Sequence, residues 1–261
     1  MKPRLFGGSV VLEFDWVFFA LAIPAVVFAG VSKAGFGSGA AFAATPILAL
    51  VLEPAVALGM LLPLLMLVDA ATLRPYWRQW DWRSSKHLIL GAVPGVALGA
   101  VFYRLTNPDI LRFLIGLMAL VFVVFQVSVQ LQWLRYRARP FSHGVGVFAG
   151  AFAGFSSFVS HAGGPPVAVY LLAQGKSKTV YQATSVLVFW AINLCKFIPY
   201  MLLGIFTADT LRADLYLAPF ALLGAYLGVK AHHMVPERAF FVLTYVLLVL
   251  TGSKLIWDAL A

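Results

Sequence analysis

Residues 110–134 read ILRFLIGLMALVFVVFQVSVQLQWL, and their one charged side chain, Arg112, lies near the start. A helix needs about 20 consecutive apolar residues to cross the hydrocarbon core of a bilayer. This stretch exceeds that length, and residues 180–203 and 238–257 are similar. The sequence therefore predicts an all-α integral membrane protein with several transmembrane helices.

The composition of the whole chain supports this class. The chain is 62% hydrophobic and 11% charged, whereas soluble domains are about 45–50% apolar and about 25% charged. Most of the basic residues behind the formal charge of +9 lie in short links between apolar runs. Basic side chains in such links anchor helix ends to lipid headgroups. The expected partner of these residues is therefore the lipid bilayer, and we predict no nucleic acid.

The sequence carries few groups suited to cofactor or catalytic chemistry. Cys195 is the only cysteine, which excludes an internal disulfide and a cysteine metal cluster. The sequence also has no metal-ligand motif and no phosphate-binding loop. We therefore expect no metal, no other cofactor and no enzymatic activity.

An internal repeat divides the chain into two halves. Landmarks of residues 1–134 return in the same order in residues 144–261, and a basic linker at 135–143 joins them. One such landmark is residues 69–76, which return as 193–200, and the evidence is the shared order of the landmarks rather than any single match. Each half reads as a broken pair of apolar helices followed by three longer helices. The predicted segments are 14–32 with 36–52, 54–73, 88–104 and 110–134, then 144–158 with 162–174, 180–203, 213–230 and 238–257.

The basic loops predict the orientation of these helices. Short loops rich in Lys and Arg lie on the cytoplasmic side of a membrane protein, and residues 74–86 form such a loop. The repeat partner of this loop, residues 204–212, then lies on the opposite side. We therefore predict two inverted repeats, a plan that places a transporter's ligand near mid-membrane between the halves.

The first broken pair is interrupted where Lys33 precedes a run of glycines. Each glycine in a helix costs about 1 kcal/mol relative to alanine, and the free N-terminus of a second half-helix attracts anions. In the alternative, the glycines allow close helix packing and Lys33 extends to the membrane surface. The substrate-binding residues predicted in this interruption are Lys33, Gly35, Gly37, Ser38 and Gly39.

The second pair is interrupted at residues 156–166, which read SSFVSHAGGPP. The two prolines fit the first turn of a new helix. Serine hydroxyls and the histidine ring can donate hydrogen bonds to an anion. The alternative is a polar turn at the membrane surface. The substrate-binding residues predicted here are Ser156, Ser157, Ser160, His161 and Gly163.

Three further polar residues interrupt the apolar helices: Asp69, Asn193 and Lys196. Such residues are costly inside a membrane and indicate function by default. We predict that Asn193 and Lys196 bind substrate, that Lys196 binds an anion, pairs with Asp69 or does both, and that Asp69 and His161 are proton-coupling candidates. Thr184 and Ser185, on about the same helix face as Asn193, are secondary candidates. In the alternative, Lys196 lies near a helix end and reaches the surface.

Four stretches containing glycine, proline or tryptophan occur in a set order along the chain. They are residues 35–39 (GFGSG) with Pro46 after them, 80–83 (WDWR), the glycine run 91–99, and 154–166. Together they resemble the sulfite exporter TauE/SafE family, also called the 4-toluene sulfonate uptake permeases. The resemblance spans about residues 16–257 and both halves.

The resemblance implies a multi-pass secondary transporter of the bacterial inner membrane. Its implied substrates are sulfite, sulfonates or related organosulfur anions. We expect export, coupled to protons and achieved by alternating access. An anion channel, or an uptake permease for another small organic anion, is the alternative. A homo-oligomer stays open, because the Gly95-x3-Gly99 pair can pack helices within one chain or between chains.

Overall fold

The computed structural model describes residues 14–36, 40–131, 133, 141–234 and 237–261. These residues form ten α-helices and no strand, which confirms the predicted all-α class. The helices are α1 (Trp16–Val31), α2 (Ala44–Ala49), α3 (Pro54–Leu73), α4 (Trp82–Leu105), α5 (Pro108–Gln130), α6 (His143–Ser160), α7 (Gly164–Ala173), α8 (Lys178–Leu202), α9 (Ala208–Met234) and α10 (Glu237–Leu260).

Seven helical segments of the described residues are long and apolar enough to cross a membrane: Trp16–Gly35, Pro54–Leu73, Trp82–Leu105, Pro108–Gln130, His143–Ser160, Lys178–Leu202 and Phe241–Leu260. Large apolar side chains cover their outward faces; Leu98 is 62% exposed and Val124 66% exposed. Such a surface suits hydrocarbon rather than water. The chain is therefore a multi-pass membrane protein.

Glycines bring two pairs of helices into close contact. On α4, Gly91 and Gly95 lie against the backbone of Val147 and Ala151 on α6, so these two helices run parallel. On α9, Gly224 and Gly228 lie against Val27 and Val31 of α1, so this pair also runs parallel. A side chain at any of these glycines would overlap the facing backbone. The glycine runs therefore pack helices within the chain.

Each of these close pairs joins one predicted half to the other. Helix α4 of the first half packs on α6 of the second, and α9 of the second half packs on α1 of the first. The last helices of the halves, α5 and α10, run antiparallel, since Gly116 contacts Gly252 while Phe122 contacts Tyr245. These directions are the ones that inverted repeats require, and the inversion itself stays a prediction.

The two predicted interruptions differ in structure. The first break (residues 32–43) continues α1 as a π-helical turn, Ser32–Phe36, and then enters α2 through a 3-10 turn, Ala40–Ala43. The second break (residues 161–163) is shorter: His161 ends α6 in the left-handed conformation, with φ of 57°, and α7 begins at Gly164. A π turn inside a helix often marks a functional position.

Two helices begin earlier than predicted. Helix α4 begins at Trp82 rather than at 88, because the Asp81 side chain accepts a hydrogen bond from the Arg83 amide and caps the helix. Helix α9 begins at Ala208 rather than at 213. The predicted linker 135–143 lies mostly outside the described residues, so its boundaries stay predictions.

Candidate functional site

Three polar side chains meet between α3, α8 and the first break. The amide nitrogen Nδ2 of Asn193 donates to Oδ2 of Asp69 over 2.7 Å, and Nζ of Lys33 donates to the same oxygen over 2.8 Å. Asp69 is fully buried and Lys33 is 9% exposed. Asp69 and Asn193 occupy matching positions of the sequence repeat. Their contact is the one expected of residues near the axis of an internal two-fold.

The π turn places Lys33 and is itself held by α8. Nε2 of Gln182 donates to the carbonyl oxygens of Lys33 and Ala34, over 3.1 and 3.4 Å. These bonds satisfy main-chain acceptors at the break, which is necessary where no water is available. The Lys33 ammonium lies 5.9 Å from the ring centroid of Phe189, within the range of a cation–π contact.

A second cluster lies at the second break. Nζ of Lys196 is 2.8 Å from Nδ1 of His161 and donates to the Ser157 carbonyl oxygen over 3.1 Å. The other ring nitrogen of His161, Nε2, lies 3.1 Å from the Leu58 carbonyl oxygen. Lys196 is fully buried. It therefore lies inside the protein rather than at a membrane surface.

The partners of His161 determine where its hydrogen lies. A carbonyl oxygen only accepts hydrogen bonds, so Nε2 carries the hydrogen that bonds to Leu58. Nδ1 is then a free acceptor for the Lys196 ammonium. A second proton on this ring would point at the Lys196 ammonium, so His161 and Lys196 together hold at most one positive charge.

The two clusters border one cavity of about 30 Å³, room for about two water molecules. Four residues predicted from the sequence line it: Lys33, Ser157, His161 and Asn193. Its apolar wall comes from both breaks and the helices beside them, through Ala41, Phe42, Leu65, Gly164, Val186 and Phe189. Asp69 and Lys196 lie behind this lining, in contact with Lys33 and with His161.

The other predicted residues have different surroundings. The Ser156 hydroxyl lies within hydrogen-bond distance of the carbonyl oxygens of Phe152, Ala153 and Ala162 and has one hydrogen to donate among them, and Ser160 donates to the carbonyl oxygen of Ser156. Gly35 lies against Gly228 of α9, where an added Cβ would be 2.5 Å from a carbonyl oxygen. Gly163 precedes α7 and faces Ala153 and Ser157. Gly37, Ser38 and Gly39 lie outside the described residues.

Two further residues of α8 contribute to the site. Ser185, a secondary candidate from the sequence, lines the cavity, and its hydroxyl has no hydrogen-bond partner among the described residues. Gln182, which the structure adds, holds the π turn. Both lie on one face of α8 with the predicted residues, because successive members of this face are three or four residues apart. The face consists of Gln182, Ser185, Phe189, Asn193 and Lys196, and this periodicity could have identified Gln182.

The start of α7 offers few backbone donors to the cavity. A helix normally leaves its first amide N–H groups free to bind an anion. Pro165 and Pro166 follow Gly164 here and have no N–H groups. The helix dipole remains, but few main-chain hydrogen bonds do. Side chains are therefore the main source of hydrogen-bond donors at the second break.

A polar link outside the membrane segments also joins the two halves. The Asp81 amide donates to Oγ1 of Thr184 over 2.9 Å, and Lys176 forms an ion pair with the Asp81 carboxylate at 3.2 Å. Partial burial alone would raise the pKa of Asp81, but hydrogen bonds from Ser84 and Lys176 outweigh it and lower that pKa. The segment before α4 is thus fastened to α8.

Comparison with known protein families identifies the chain. The model of the sulfite exporter TauE/SafE family matches residues 22–255, which include both breaks and every helix that borders the cavity. The chain belongs to the TauE/SafE family. Searches of curated proteins and of solved structures found no significant match.

Membership explains the general character of the buried site. TauE/SafE proteins are sulfite exporters, and so membrane transporters rather than enzymes. A transporter of this family requires a small anionic substrate and a lipid bilayer. Among the described residues, no three His, Cys, Asp or Glu side chains are grouped as metal ligands. The buried lysines are the prominent charged groups beside the cavity.

Proposed function

We propose that this TauE/SafE protein is a secondary transporter that exports small sulfur-containing anions across the bacterial inner membrane. The substrate class is sulfite, sulfonates or related organosulfur anions. The observation that carries the proposal is the charge balance around the buried cavity. Lys33 and Lys196 contribute two positive charges, whereas Asp69 contributes one negative charge.

The excess positive charge creates a place for one anionic group. An ion pair between Lys33 and Asp69 is already neutral, but the acceptors around Lys196 are a carbonyl oxygen and a neutral ring. A buried charge without a counter-ion is costly. An anion that enters the cavity offsets this cost, and Ser185 and Asn193 supply hydrogen-bond donors to its oxygens.

Proton coupling in this proposal depends on Asp69 and His161. An anion that draws Lys33 toward itself weakens the bond between Lys33 and Asp69, and Asp69 then binds a proton more readily. An anion beside His161 likewise favours a second proton on that ring. Substrate occupancy and protonation are therefore linked through the two lysine contacts.

Alternating access follows from the way the helices pair. The glycine-packed pairs α4 with α6 and α1 with α9 have backbones too close for the two helices of a pair to separate easily. Each pair contains one helix from each sequence half. We infer that these mixed pairs move as units and that the cavity between them opens to either side in turn.

The test is flux into proteoliposomes that contain the purified protein. Sulfite and a small sulfonate are measured separately, with and without an imposed pH gradient. We expect saturable flux that follows the gradient. Flux without saturation would instead indicate an anion channel. Saturable flux that ignores the gradient would remove proton coupling, and no flux of either anion through folded protein would contradict the substrate class.

A further inference from the structure

A buried carboxylate lies far from the central cavity, near the start of α9. Asp214 is 8% exposed, and both of its carboxylate oxygens lack a hydrogen-bond partner among the described residues. Its helix neighbours Thr210, Ala213 and Leu217 are fully buried. Ala213 and Leu217 belong to an apolar cluster that also includes residues of α1 and α3. The carboxylate therefore lies in apolar surroundings.

Among the described residues, no cation is placed to neutralise this carboxylate. Helix α9 packs on α1, on α3 and on the π turn. Helix α1 has no charged residue. The only charged residue of α3 is Asp69, near the end of that helix, and Lys33 of the π turn is bound to Asp69. The carboxylate Asp15, which precedes α1, caps that helix by accepting from the Phe18 amide.

The charged groups of α9 itself do not reach Asp214 either. Arg212 is exposed and pairs with Asp209 at 3.4 Å. Lys230 lies toward the other end of the helix and contacts the Tyr226 ring. Tyr216 is 56% exposed and packs on Phe14 and Phe19. The Thr210 hydroxyl donates to the Thr207 carbonyl oxygen.

The position of Asp214 separates it from the substrate cavity. Phe14 and Phe19, at the start of α1, contact Tyr216 of α9, whereas Gly35, beyond the end of α1, contacts Gly228. Since α1 and α9 run parallel, Asp214 lies beside the start of α1, and Lys33 lies beyond its opposite end. A rise of about 1.5 Å per residue over this length puts about 20 Å between the two sites.

We propose that Asp214 is a proton-binding site, occupied in the folded protein at neutral pH and separate from the anion site. An ionised carboxylate with no counter-ion and no donor is strongly disfavoured in apolar surroundings, whereas the protonated acid is neutral. A metal ion is a poor alternative, because divalent ions require several oxygen ligands and Asp214 belongs to no group of three or more His, Cys, Asp or Glu side chains among the described residues. Alkaline pH therefore removes the proton and weakens the packing of α1, α3 and α9.

The thermal stability of the purified protein in detergent tests this site without reference to transport. The Tm of the wild type should fall as pH rises from the unfolded pKa of Asp, about 3.9, towards the folded midpoint of Asp214, by about 3–5 °C for each pH unit, and should level off above that midpoint. Asp214→Asn, which mimics the neutral acid, should lose this decline. Asp209→Asn, an exposed carboxylate on the same helix, is the matched control and should retain it.

Infrared spectroscopy provides a second readout of the same proton. The carbonyl stretch of a protonated carboxyl should be present in the wild type and lost in Asp214→Asn. If that variant does not fold, Asp214→Leu gives the same two tests. Identical pH profiles for the wild type and the Asp214 variant would overturn the proposal. An alkaline Tm that instead depends on sodium concentration would also overturn it and would indicate a cation site.

Discussion

The two breaks accommodate a buried lysine in different ways. Lys33 comes from the first break itself and meets a carboxylate, Asp69. Lys196 comes from α8 and meets the second break through two neutral acceptors, the Ser157 carbonyl oxygen and the His161 ring. The first arrangement is an ion pair that is complete without substrate. In the transport mechanism that we propose, the second leaves a positive charge for substrate to balance.

This difference assigns different roles to two lysines that look alike in the sequence. Loss of one partner of a buried ion pair leaves the other charge uncompensated, which mainly destabilises the fold. Loss of a cation that has only neutral partners leaves no buried charge behind. Lys33 should therefore be more important for stability, and Lys196 for substrate binding.

The largest effect on stability is expected when one partner of the Lys33–Asp69 ion pair is removed. Lys33→Met leaves the Asp69 carboxylate buried and should destabilise the protein by about 3–5 kcal/mol. The double variant Lys33→Met with Asp69→Asn removes both charges and should recover most of that loss. Thermal unfolding in detergent measures both. A single variant as stable as the wild type would show that Lys33 and Asp69 are not paired.

The complementary change at the second break should affect transport instead. Lys196→Met keeps most of the side-chain volume but removes the charge-assisted hydrogen bond that the ammonium would donate to a bound anion. Such a bond is worth about 1.5–3 kcal/mol. That energy corresponds to a loss of sulfite flux of about 10- to 100-fold. Membrane expression and Tm should stay close to wild type. Lys254→Met, an exposed lysine of α10, is the control for charge loss alone, and equal flux in both variants would refute the role of Lys196.

The sequence predicted the class of fold, and it singled out several residues that the structure buries around the central cavity, but it did not predict their pairings. Charged groups in apolar helices are costly enough to stand out, so Asp69 and Lys196 were identified from their positions alone. The sequence left open whether Lys196 pairs with Asp69; in the structure Lys33 does so. This choice depends on the π turn, and that turn depends on Gln182 of a distant helix. Local sequence patterns do not contain such long-range contacts.

The serines of the second break also show what local sequence patterns cannot predict. Ser156, Ser157 and Ser160 were equivalent donors by composition, but two of them bond to main-chain carbonyl oxygens. Serine in a helix commonly forms this local bond. Ser185 carries the free hydroxyl instead. Which serine faces a cavity is decided by helix rotation and packing.

Alanine substitutions in the two glycine-packed helix pairs should have a smaller effect, and they allow the two pairs to be compared. Gly95→Ala places a methyl group in the backbone of Ala151, and Gly228→Ala places one 2.6 Å from the Val31 carbonyl oxygen. Each substitution should destabilise the protein by about 1–3 kcal/mol. Gly144→Ala is the matched control, because its nearest neighbour would be 3.9 Å away. If the two mixed pairs are equivalent units, both substitutions should also slow transport by similar factors.

The smallest effect is expected at the Asp81 link, where the ion pair with Lys176 is partly exposed. Such pairs are worth about 0–1 kcal/mol, so Asp81→Asn should lower stability slightly at pH 7. Because interactions in the fold lower the pKa of Asp81, its stabilisation is present above the unfolded pKa of about 3.9 and disappears as pH falls through the folded value. The Tm curves of wild type and Asp81→Asn should therefore separate at neutral pH and converge in acid. A constant separation down to acid pH would mean that the substitution acts on the helix cap or on Thr184 rather than on the ion pair with Lys176.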